Sequence, residues 1–388
     1  MLQELAPGSL VHGRFEVERL TGSGGMGAVY RAMDRTTMQP VAIKVLFDGA
    51  DEARFHREAL LLAELRHPGI VGYVAHGHTD AGHPFLAMQW LSGIDLAERL
   101  RHGGLNLKES LLLIQRVAEA LSIAHKRGII HRDIKPSNLF LVDGDPGKVV
   151  LLDFGIARRG LGVRSAAMTR TGAIIGTPEY MAPEQARGAS ELFPAADIFS
   201  IGCVLYECLA GKPPFIAEHV SAVLVRILLE DPPPLRDTRS DVPDALLALL
   251  ARMLAKDPAQ RPADARALLS ELDALGPLSD AAGPVTRQTR QEQGPPSDAF
   301  ALSEQNLFCL VLAMPATSAE ELPPRSASES MSLEQALHQP ACWPALEAAL
   351  LSVGARGEWL IDGTLVVTLR SLQSALDQAM LAARAALL

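Results

Sequence analysis

The stretch HRDIKPSN at residues 131–138, followed by DFG at residues 153–155, decides the fold of this 388-residue chain. It places two aspartates, an asparagine and a lysine within one short segment. Phosphoryl transfer asks little covalent chemistry of a protein, but it needs an aligned hydroxyl group and neutralised phosphate charge. Carboxylate, amide and ammonium groups supply both, so the segment predicts a site for phosphoryl transfer.

The chemistry gives each of these residues a candidate role. Asp133 would accept or orient the proton of the attacking hydroxyl, and Lys135 would face the γ-phosphate of ATP. Asn138 and Asp153 offer oxygen ligands to Mg²⁺, or to Mn²⁺ in its place, and the ion would be shared with substrate phosphates. Taken singly, Asp and Asn are also common turn formers. Their order and spacing together favour the catalytic interpretation.

A glycine-rich stretch, GSGGMGAV at residues 22–29, lies between two segments that alternate like strands. Its glycines allow a tight hairpin whose backbone N–H groups point towards phosphate. The same letters occur in the turn of a Rossmann unit and in plain flexible loops. No helical pattern follows the glycines here, which disfavours the Rossmann alternative and leaves the flexible loop as the other interpretation.

Lys44 lies on the otherwise apolar stretch Val41–Leu46. A lysine on such a strand is usually an edge residue whose ammonium group reaches solvent. The alternative is a phosphate contact, in which Glu58 on the following helix would pair with Lys44 and hold it against the α- and β-phosphates. Glu58 could equally belong to a solvated helix face.

Hydrophobic periodicity divides the chain into two lobes, a linker and a tail. Residues 12–91, the first lobe, alternate like strands around one helical stretch that stops at His67-Pro68-Gly69. Residues 92–275, the second lobe, are mainly helical. The Pro-, Gly- and Gln-rich residues 276–303 are typical of a flexible linker, and residues 304–388 of a small α+β domain. The fold class is therefore α+β. The predicted strands of the first lobe are residues 15–20, 28–32 and 41–46, and the predicted helices of the second are residues 111–124, 198–210, 244–254 and 263–275.

Composition narrows the function classes. A net charge of −9 argues against a general basic field for nucleic acid or anionic membrane. The longest apolar run, residues 198–210, is too short to span a bilayer and contains Glu207. The first residues lack the basic and apolar regions of a signal peptide, and the four cysteines show no paired spacing. We therefore expect a cytoplasmic protein with reduced thiols and no membrane or nucleic-acid partner.

These motifs together resemble the eukaryotic-like bacterial protein Ser/Thr kinases, from residue 12 to residue 275. The resemblance implies the bilobal protein kinase fold and ATP-dependent phosphorylation of protein Ser/Thr hydroxyls. It also implies that Ala182-Pro183-Glu184 closes the activation segment, that Glu184 pairs with Arg261 and that Asp197 opens the next helix. Lys135 and the stretch GTPEY at residues 176–180 are typical of Ser/Thr-specific members. In these members Thr177 bridges towards Asp133 and Lys135.

The resemblance also implies the residues that bind ATP. The hinge between the lobes would read adenine mainly through backbone groups, so Gln89, at a position that is often Glu, is compatible with binding. Met88 would be the gatekeeper, and Phe199 stands where Trp is commoner. The nucleotide contacts implied are Gly22, Ser23, Gly24, Gly25, Met26, Gly27, Val29, Ala42, Lys44, Glu58, Met88, Gln89 and Leu91.

Regulation is predicted from Arg132 and from the threonines Thr169 and Thr171. A phosphate group carries a charge near −2 and accepts paired hydrogen bonds from arginine. Phosphorylation at either threonine would therefore order the activation segment against Arg132. Autophosphorylation in trans would require a dimer of two kinase chains.

The tail contains a short stretch that resembles the middle of a class III nucleotide cyclase domain. Residues 307–312 are predicted as a strand, residues 346–351 as helix, residues 359–369 as a hairpin with an Asp362-Gly363 turn, and residues 374–388 as a closing helix. In that family the aspartate of the turn binds metal with another on the first strand, where this chain has Met314. One carboxylate makes a poor two-metal site. A degenerate or truncated sensor, or a docking module for a regulator, is expected instead of a cyclase.

The main alternative is a pseudokinase, a scaffold that binds nucleotide and partners without turnover. Loss of any of Lys44, Asp133, Asn138 or Asp153 would favour that alternative, and all four are present. The sequence therefore predicts an active enzyme.

Overall fold

The structure is a computed structural model of the chain. It describes residues 5–24, 27–46, 52–154, 178–189, 191–217, 219–276, 308–313, 350, 355–359 and 365–370. These residues belong to two compact units, of which the first contains the described residues of both predicted lobes apart from residues 186–188, and the second contains the described residues of the tail. Each unit is described by itself. No helix in this part of the chain is both long and apolar enough to cross a bilayer.

The first lobe is built on a six-stranded antiparallel sheet with strand order β1-β2-β3-β4-β6-β5. One helix, α1, connects β4 to β5 and packs on β5 and β6. The strands are β1 Leu10–Val11, β2 Phe15–Gly24, β3 Gly27–Asp34, β4 Gln39–Leu46, β5 Tyr73–His78 and β6 Pro84–Gln89, and the helix is α1 Glu52–Glu64.

The three strands predicted for this lobe are confirmed, but β1, β5 and β6 were missed by the pattern. In β6 every residue from Pro84 to Met88 is buried, so no alternation marks it. In β5, His76, Gly77 and His78 interrupt the apolar pattern. A continuous buried run and a polar strand both escape a search for alternation.

Alternation in β3 and β4 gives the sheet two different faces. One face carries the core, in which Phe15, Tyr30, Ile43 and Phe85 are almost completely buried. Burial of such side chains contributes about 2 kcal/mol each. The other face carries Val29, Ala42 and Lys44, which are half-buried. Val29 lies directly opposite Lys44 in the register of β3 and β4.

Lys44 is therefore not an edge residue. Its strand β4 lies between β3 and β6, and Lys44 is paired with Val29 on one side and with Leu86 on the other. The edge interpretation weighed from the sequence is wrong, because β4 is hydrogen-bonded to a neighbouring strand on each side and so has no free edge.

The second lobe is mainly helical, as predicted. The helices are α2 Leu96–His102, α3 Leu107–His125, α4 Pro183–Ala186, α5 Ala195–Ala210, α6 Val220–Leu229, α7 Asp244–Met253 and α8 Ala265–Ala274. Helix α3 begins at a capping box, in which the side chains of Asn106 and Glu109 each accept a backbone N–H of the other. Fifteen of the sixteen residues of α5 are buried, so this helix is the centre of the lobe.

A small antiparallel sheet places residues 131–138 next to the first lobe. Its strands are β7 Gly93–Asp95, β8 Leu139–Val142 and β9 Val149–Leu151, in that order. The backbone of Leu151 donates to Gly69 and accepts from Val71, both of which follow α1. Residues 131–138 thus precede β8, and residues 152–154 follow β9.

The second unit contains a three-stranded antiparallel sheet with order β10-β12-β11. Its strands are β10 Phe308–Ala313, β11 Ala355–Trp359 and β12 Leu365–Arg370, and Leu350 is helical. The predicted first strand and the predicted pairing of the later two strands are both present. Asp362, Gly363, Met314 and residues 374–388 lie outside the described residues, so the expectations for them stay predictions.

Candidate active site

Asp133 is surrounded by polar groups from its own loop. Its carboxylate accepts from the ammonium group of Lys135 at 3.0 Å and from Nδ2 of Asn138 at 3.1 Å. Nδ2 of Asn138 also donates to the backbone carbonyl of Asp133 at 2.7 Å. A short 3-10 helix, Pro136–Asn138, turns the chain so that these side chains meet. The loop therefore holds one carboxylate, one cation and one amide together.

Lys44 and Asp153 join the two lobes at this site. Nζ of Lys44 lies 2.7 Å from Oδ1 of Asp153, and both side chains are partly exposed. Asp153 has a positive φ of 50°, which is unusual for a residue other than glycine and turns the chain sharply after β9. The backbone N–H of Leu152 donates to the carbonyl of Asn138, which keeps the two predicted metal ligands on neighbouring segments.

The side chain of Asp197 in α5 holds the backbone of the loop at residues 131 and 132. Its buried carboxylate accepts from the backbone N–H groups of His131 and Arg132, each at 2.8 Å, and from Nε2 of His125 at 2.9 Å. Burial alone would raise the pKa of Asp197, but the hydrogen bond from His125 and the other donors outweigh it and hold the pKa below its ordinary value. Nδ1 of His125 accepts from the backbone of Ala265, so the ring donates to Asp197 through Nε2.

The buried side chain of His131 stabilises the same loop through two hydrogen bonds. Its side chain is fully buried, with Nε2 bonded to the carbonyl of Leu152 at 2.9 Å, and its ring lies 4.6 Å from that of Phe154. Nδ1 accepts from the backbone N–H of Asp133 at 3.4 Å. Burial lowers the pKa of His131. Sequence reasoning gave no role to His131 or His125, although His131 stands in the quoted motif. His125 carries no comparable signal.

Glu184, at the predicted end of the activation segment, forms a bidentate salt bridge with Arg261. Two guanidinium nitrogens of Arg261 donate to the two carboxylate oxygens of Glu184, at 2.8 and 2.9 Å. The buried Arg261 also donates to the backbone carbonyls of Ala255, Ala195 and Lys256. Such a two-pronged contact fixes both the distance and the orientation of the two segments.

The face of the first lobe that is predicted to bind nucleotide is defined by backbone register. Gly22 is paired with Val29, and Gly24 with Gly27, so the glycine-rich stretch forms a hairpin. A Cβ on Gly27 would lie 2.2 Å from the carbonyl oxygen of Val45, so only glycine fits there. On the neighbouring strands, Ala42 pairs with the buried Met88. Gln89 ends β6, and Leu91 follows in the connection to β7.

Six predicted site residues fall wholly or partly outside the part of the chain that the structure describes. Gly25, Met26, Thr169, Thr171 and Thr177 lie outside the described residues, as does the side chain of Glu58 on α1. The predicted Lys44–Glu58 pair and the bridge from Thr177 therefore stay predictions. Ser23 lies in β2, opposite Ala28.

Comparison with known proteins agrees with this geometry. A model of the protein kinase domain matches residues 15–272. The Ser/Thr protein kinase pkn3 of Myxococcus xanthus is 38% identical over 279 residues, which are 69% of this chain and 51% of that protein. PknB of Mycolicibacterium smegmatis is 35% identical over 307 residues, which are 76% of this chain and 48% of that protein. The chain thus spans about half the length of these relatives.

A solved structure shares the fold. The crystal structure of Rad53 1-466 in complex with AMP-PNP matches with a TM-score of 0.57 and 27% sequence identity, over 67% of this chain and 65% of that chain. The expectation of a bilobal fold, with a β-rich lobe followed by a helical lobe, is thereby confirmed. On the match of its residues 15–272 and on this architecture, the chain belongs to the protein kinase family.

Proposed function

We propose that this chain is a serine/threonine protein kinase that transfers the γ-phosphoryl group of ATP to hydroxyl groups of proteins. The observation that carries the proposal is the meeting of Asp133, Lys135 and Asn138 in one loop, beside the Lys44–Asp153 contact. Phosphoryl transfer depends mainly on positioning and charge stabilisation, and this cluster offers groups for both. The names of the matched bacterial relatives support Ser/Thr as the acceptor class.

In this mechanism Asp133 accepts or orients the proton of the acceptor hydroxyl. Lys135 lies 3.0 Å from that carboxylate, close enough to meet the γ-phosphate when the hydroxyl is in line. Thr177 is assigned to bridge towards both residues. Asn138 holds the backbone carbonyl and the carboxylate of Asp133 together, so the base keeps a fixed direction.

The residues present fit a Mg²⁺ or Mn²⁺ ion. The side-chain nitrogen of Asn138 donates a hydrogen bond to Asp133, so the side-chain oxygen of Asn138 is left to bind a cation. Asp153 supplies a carboxylate. Among the described residues, no group of three or more His, Cys, Asp or Glu side chains could hold a metal. The ion would therefore take its other ligands from phosphate oxygens and water, as Mg²⁺ usually does. When bound, it neutralises phosphate charge.

ATP would lie against the half-buried face of the first-lobe sheet. Val29, Ala42 and Lys44 share that face, and Met88, Gln89 and Leu91 line the connection to the second lobe. The backbone of residues 22–27 would cover the phosphates. Lys44 would leave Asp153 for the α- and β-phosphates and pair with Glu58. The match to a kinase crystallised with AMP-PNP supports an ATP site of this kind.

Regulation is assigned to the activation segment and the tail. Thr169 and Thr171 are the proposed autophosphorylation sites, modified in trans within a kinase–kinase dimer and read by Arg132. The three-stranded sheet of the tail supports a small α+β domain at residues 304–388, joined to the kinase domain of residues 12–275 through the linker of residues 276–303. That domain, with its cyclase-like hairpin, would bind a regulator. Because the proposed phosphoryl donor is ATP, which the cell supplies in its cytoplasm, we assign the protein to the cytoplasm.

The activity is tested by incubating the full chain with radiolabelled ATP, Mg²⁺ and a general protein substrate. Asp133→Asn and Lys44→Met are expected to lose almost all incorporation, because each removes a charged group from the site. Equal incorporation by all three proteins would reject the catalytic assignment and favour a scaffold. Mass spectrometry of the peptide that contains Thr169 and Thr171 tests autophosphorylation, and absence of phosphate there would reject these sites.

A further inference from the structure

Arg132, immediately before Asp133, has an unusual backbone conformation. Its φ is 67°, in the left-handed region that non-glycine residues rarely occupy. Such a conformation is strained and persists only where surrounding groups hold it. Asp197 holds one side, because the N–H of Arg132 donates to its carboxylate at 2.8 Å.

The other side is held by Gln185. The carbonyl oxygen of Arg132 accepts a hydrogen bond from Nε2 of Gln185 at 2.9 Å. Gln185 belongs to α4, 53 positions further along the chain. The backbone N–H and C=O of Arg132 are thus both bonded to side chains of other segments, and the peptide group between Arg132 and Asp133 is fixed.

The same glutamine also caps its own helix. Oε1 of Gln185 accepts from the backbone N–H of Ala182 at 3.0 Å, and Ala182 immediately precedes α4. A Gln or Glu at the third helical position commonly caps a helix in this way. Capping alone would therefore be satisfied equally well by glutamate.

The contact with Arg132 distinguishes the two residue types. A carbonyl oxygen needs a donor, and an ionised carboxylate has none, whereas an amide offers an oxygen to Ala182 and an N–H to Arg132 at once. The two partners also fix which end of the amide faces which segment. The amide of Gln185 therefore connects the end of the activation segment to the residue before the base.

We infer that Gln185 is a positioning residue for phosphoryl transfer, which holds the Arg132–Asp133 peptide in place from the segment that follows the activation segment. The inference rests on the proposed function, since Asp133 is the proposed base. Gln185 acts through Asp133 and touches no reacting atom. Its loss would misalign the base while leaving the ATP face of the first lobe unchanged.

Two substitutions separate the two bonds of this amide. Gln185→Glu keeps an acceptor for Ala182 and removes the donor to Arg132, and Gln185→Met removes both at similar volume. Gln115→Glu, on the partly exposed surface of α3, is the matched control for added charge. Each full-length protein is assayed for kcat, for KM towards ATP and a peptide substrate, and for its thermal unfolding midpoint. Asp133→Asn is included as the inactive reference.

We expect Gln185→Glu to lower kcat by about tenfold, since small misplacements of a catalytic group are costly. Its KM for ATP should stay near that of the wild type, because the nucleotide face is kept, and its unfolding midpoint should fall only slightly, because one bond of the amide is lost and the cap is kept. Gln185→Met should lower kcat as far and lower the unfolding midpoint further, because it removes both bonds. Gln115→Glu should match the wild type in every measurement.

A wild-type kcat in Gln185→Glu, with only the unfolding midpoint lowered in Gln185→Met, would overturn the inference and reduce Gln185 to a helix cap. That result leaves the proposed function standing, because the wild type would still exceed Asp133→Asn. If the wild type and Asp133→Asn incorporate phosphate equally, the proposed function fails as well. A rise in peptide KM at unchanged kcat would assign Gln185 to substrate binding and also overturn the inference.

Discussion

The two lobes position their proposed catalytic groups by different means. In the first lobe, Lys44 stands on a central strand whose opposite face is packed on apolar side chains such as Phe15, Ile43 and Phe85. In the second lobe, Asp133 stands on a loop whose backbone is bonded to buried polar side chains, among them Asp197 and His131.

This difference predicts different tolerance to substitution. Apolar packing accepts swaps that conserve volume at a cost below about 1.5 kcal/mol. A buried polar network does not, because removing one member leaves its partners desolvated and unbonded. The second lobe should therefore respond strongly to changes of similar size that the first lobe tolerates.

The largest effect is expected for Asp197→Ala. It leaves the N–H groups of His131 and Arg132 without their acceptor inside the protein, so the free energy of unfolding should fall by about 4 kcal/mol and activity should be lost. Ile43→Val, in the core of the first lobe, is the comparison and should cost about 1 kcal/mol. Urea denaturation measures both. Equal losses would refute the contrast between the lobes.

A somewhat smaller effect is expected for Arg261→Met. The substitution removes the two bonds to Glu184 and leaves that carboxylate largely buried, so we expect a loss of about 3 kcal/mol. Glu184→Gln and the double variant complete the cycle. If the pair acts as a unit, the double variant should lose less than the sum of the single variants. Simple additivity would show that Arg261 stabilises the lobe through its backbone contacts alone.

The contrast also explains what the sequence could predict. Alternation over Phe15–Leu20 and Val41–Leu46 predicts strands because a one-sided core imposes a period of two. The spacing within residues 131–138 and 153–155 predicts the cluster around Asp133 because loop and hairpin bring these residues together locally. The contacts of His125 with Asp197, and of Gln185 with Arg132, join segments more than fifty residues apart. No local pattern encodes such contacts, so only the fold reveals them.

Asp34 is an exception to the apolar packing of the first lobe, because it is a buried and hydrogen-bonded carboxylate, and it provides a third prediction. It is almost completely buried as the last residue of β3 and accepts two bonds from Arg14, at 2.9 and 2.7 Å. The hydrogen bonds from Arg14 hold the pKa of Asp34 well below its ordinary value. Asp34→Asn should therefore cost about 2 kcal/mol at pH 7.

This stabilisation should depend on pH in a defined direction. Since the pKa of Asp34 is lower in the folded state, its contribution is present above the unfolded pKa of about 3.9 and is lost as the pH falls further. Urea denaturation at pH 7 and pH 3 should show the difference between the wild type and Asp34→Asn shrinking at pH 3. A difference that grows on acidification would contradict the assignment.

The smallest effect is expected for His76 in the first lobe. Its Nδ1 is bonded to the hydroxyl of Tyr73 at 2.6 Å and its Nε2 to Nδ1 of His56 at 2.9 Å. Burial and the neighbouring His56 and His78 lower the pKa of His76, and burial lowers that of His131. Because the unfolded chain binds these protons more readily, stability should fall as the pH drops below about 6.5.

His76→Gln measures the share of His76 in this acid sensitivity, to which His67 of the first lobe also contributes because burial lowers its pKa. His76 is partly exposed and His131 is fully buried, so His76→Gln should remove less than half of the stability lost between pH 7.5 and pH 5.5. The measurement is the urea midpoint at each pH, with His102→Gln, an exposed histidine of α2, as the control. If His76→Gln abolished the whole loss, the sensitivity would lie in the first lobe, and burial of His131 would not govern its proton affinity.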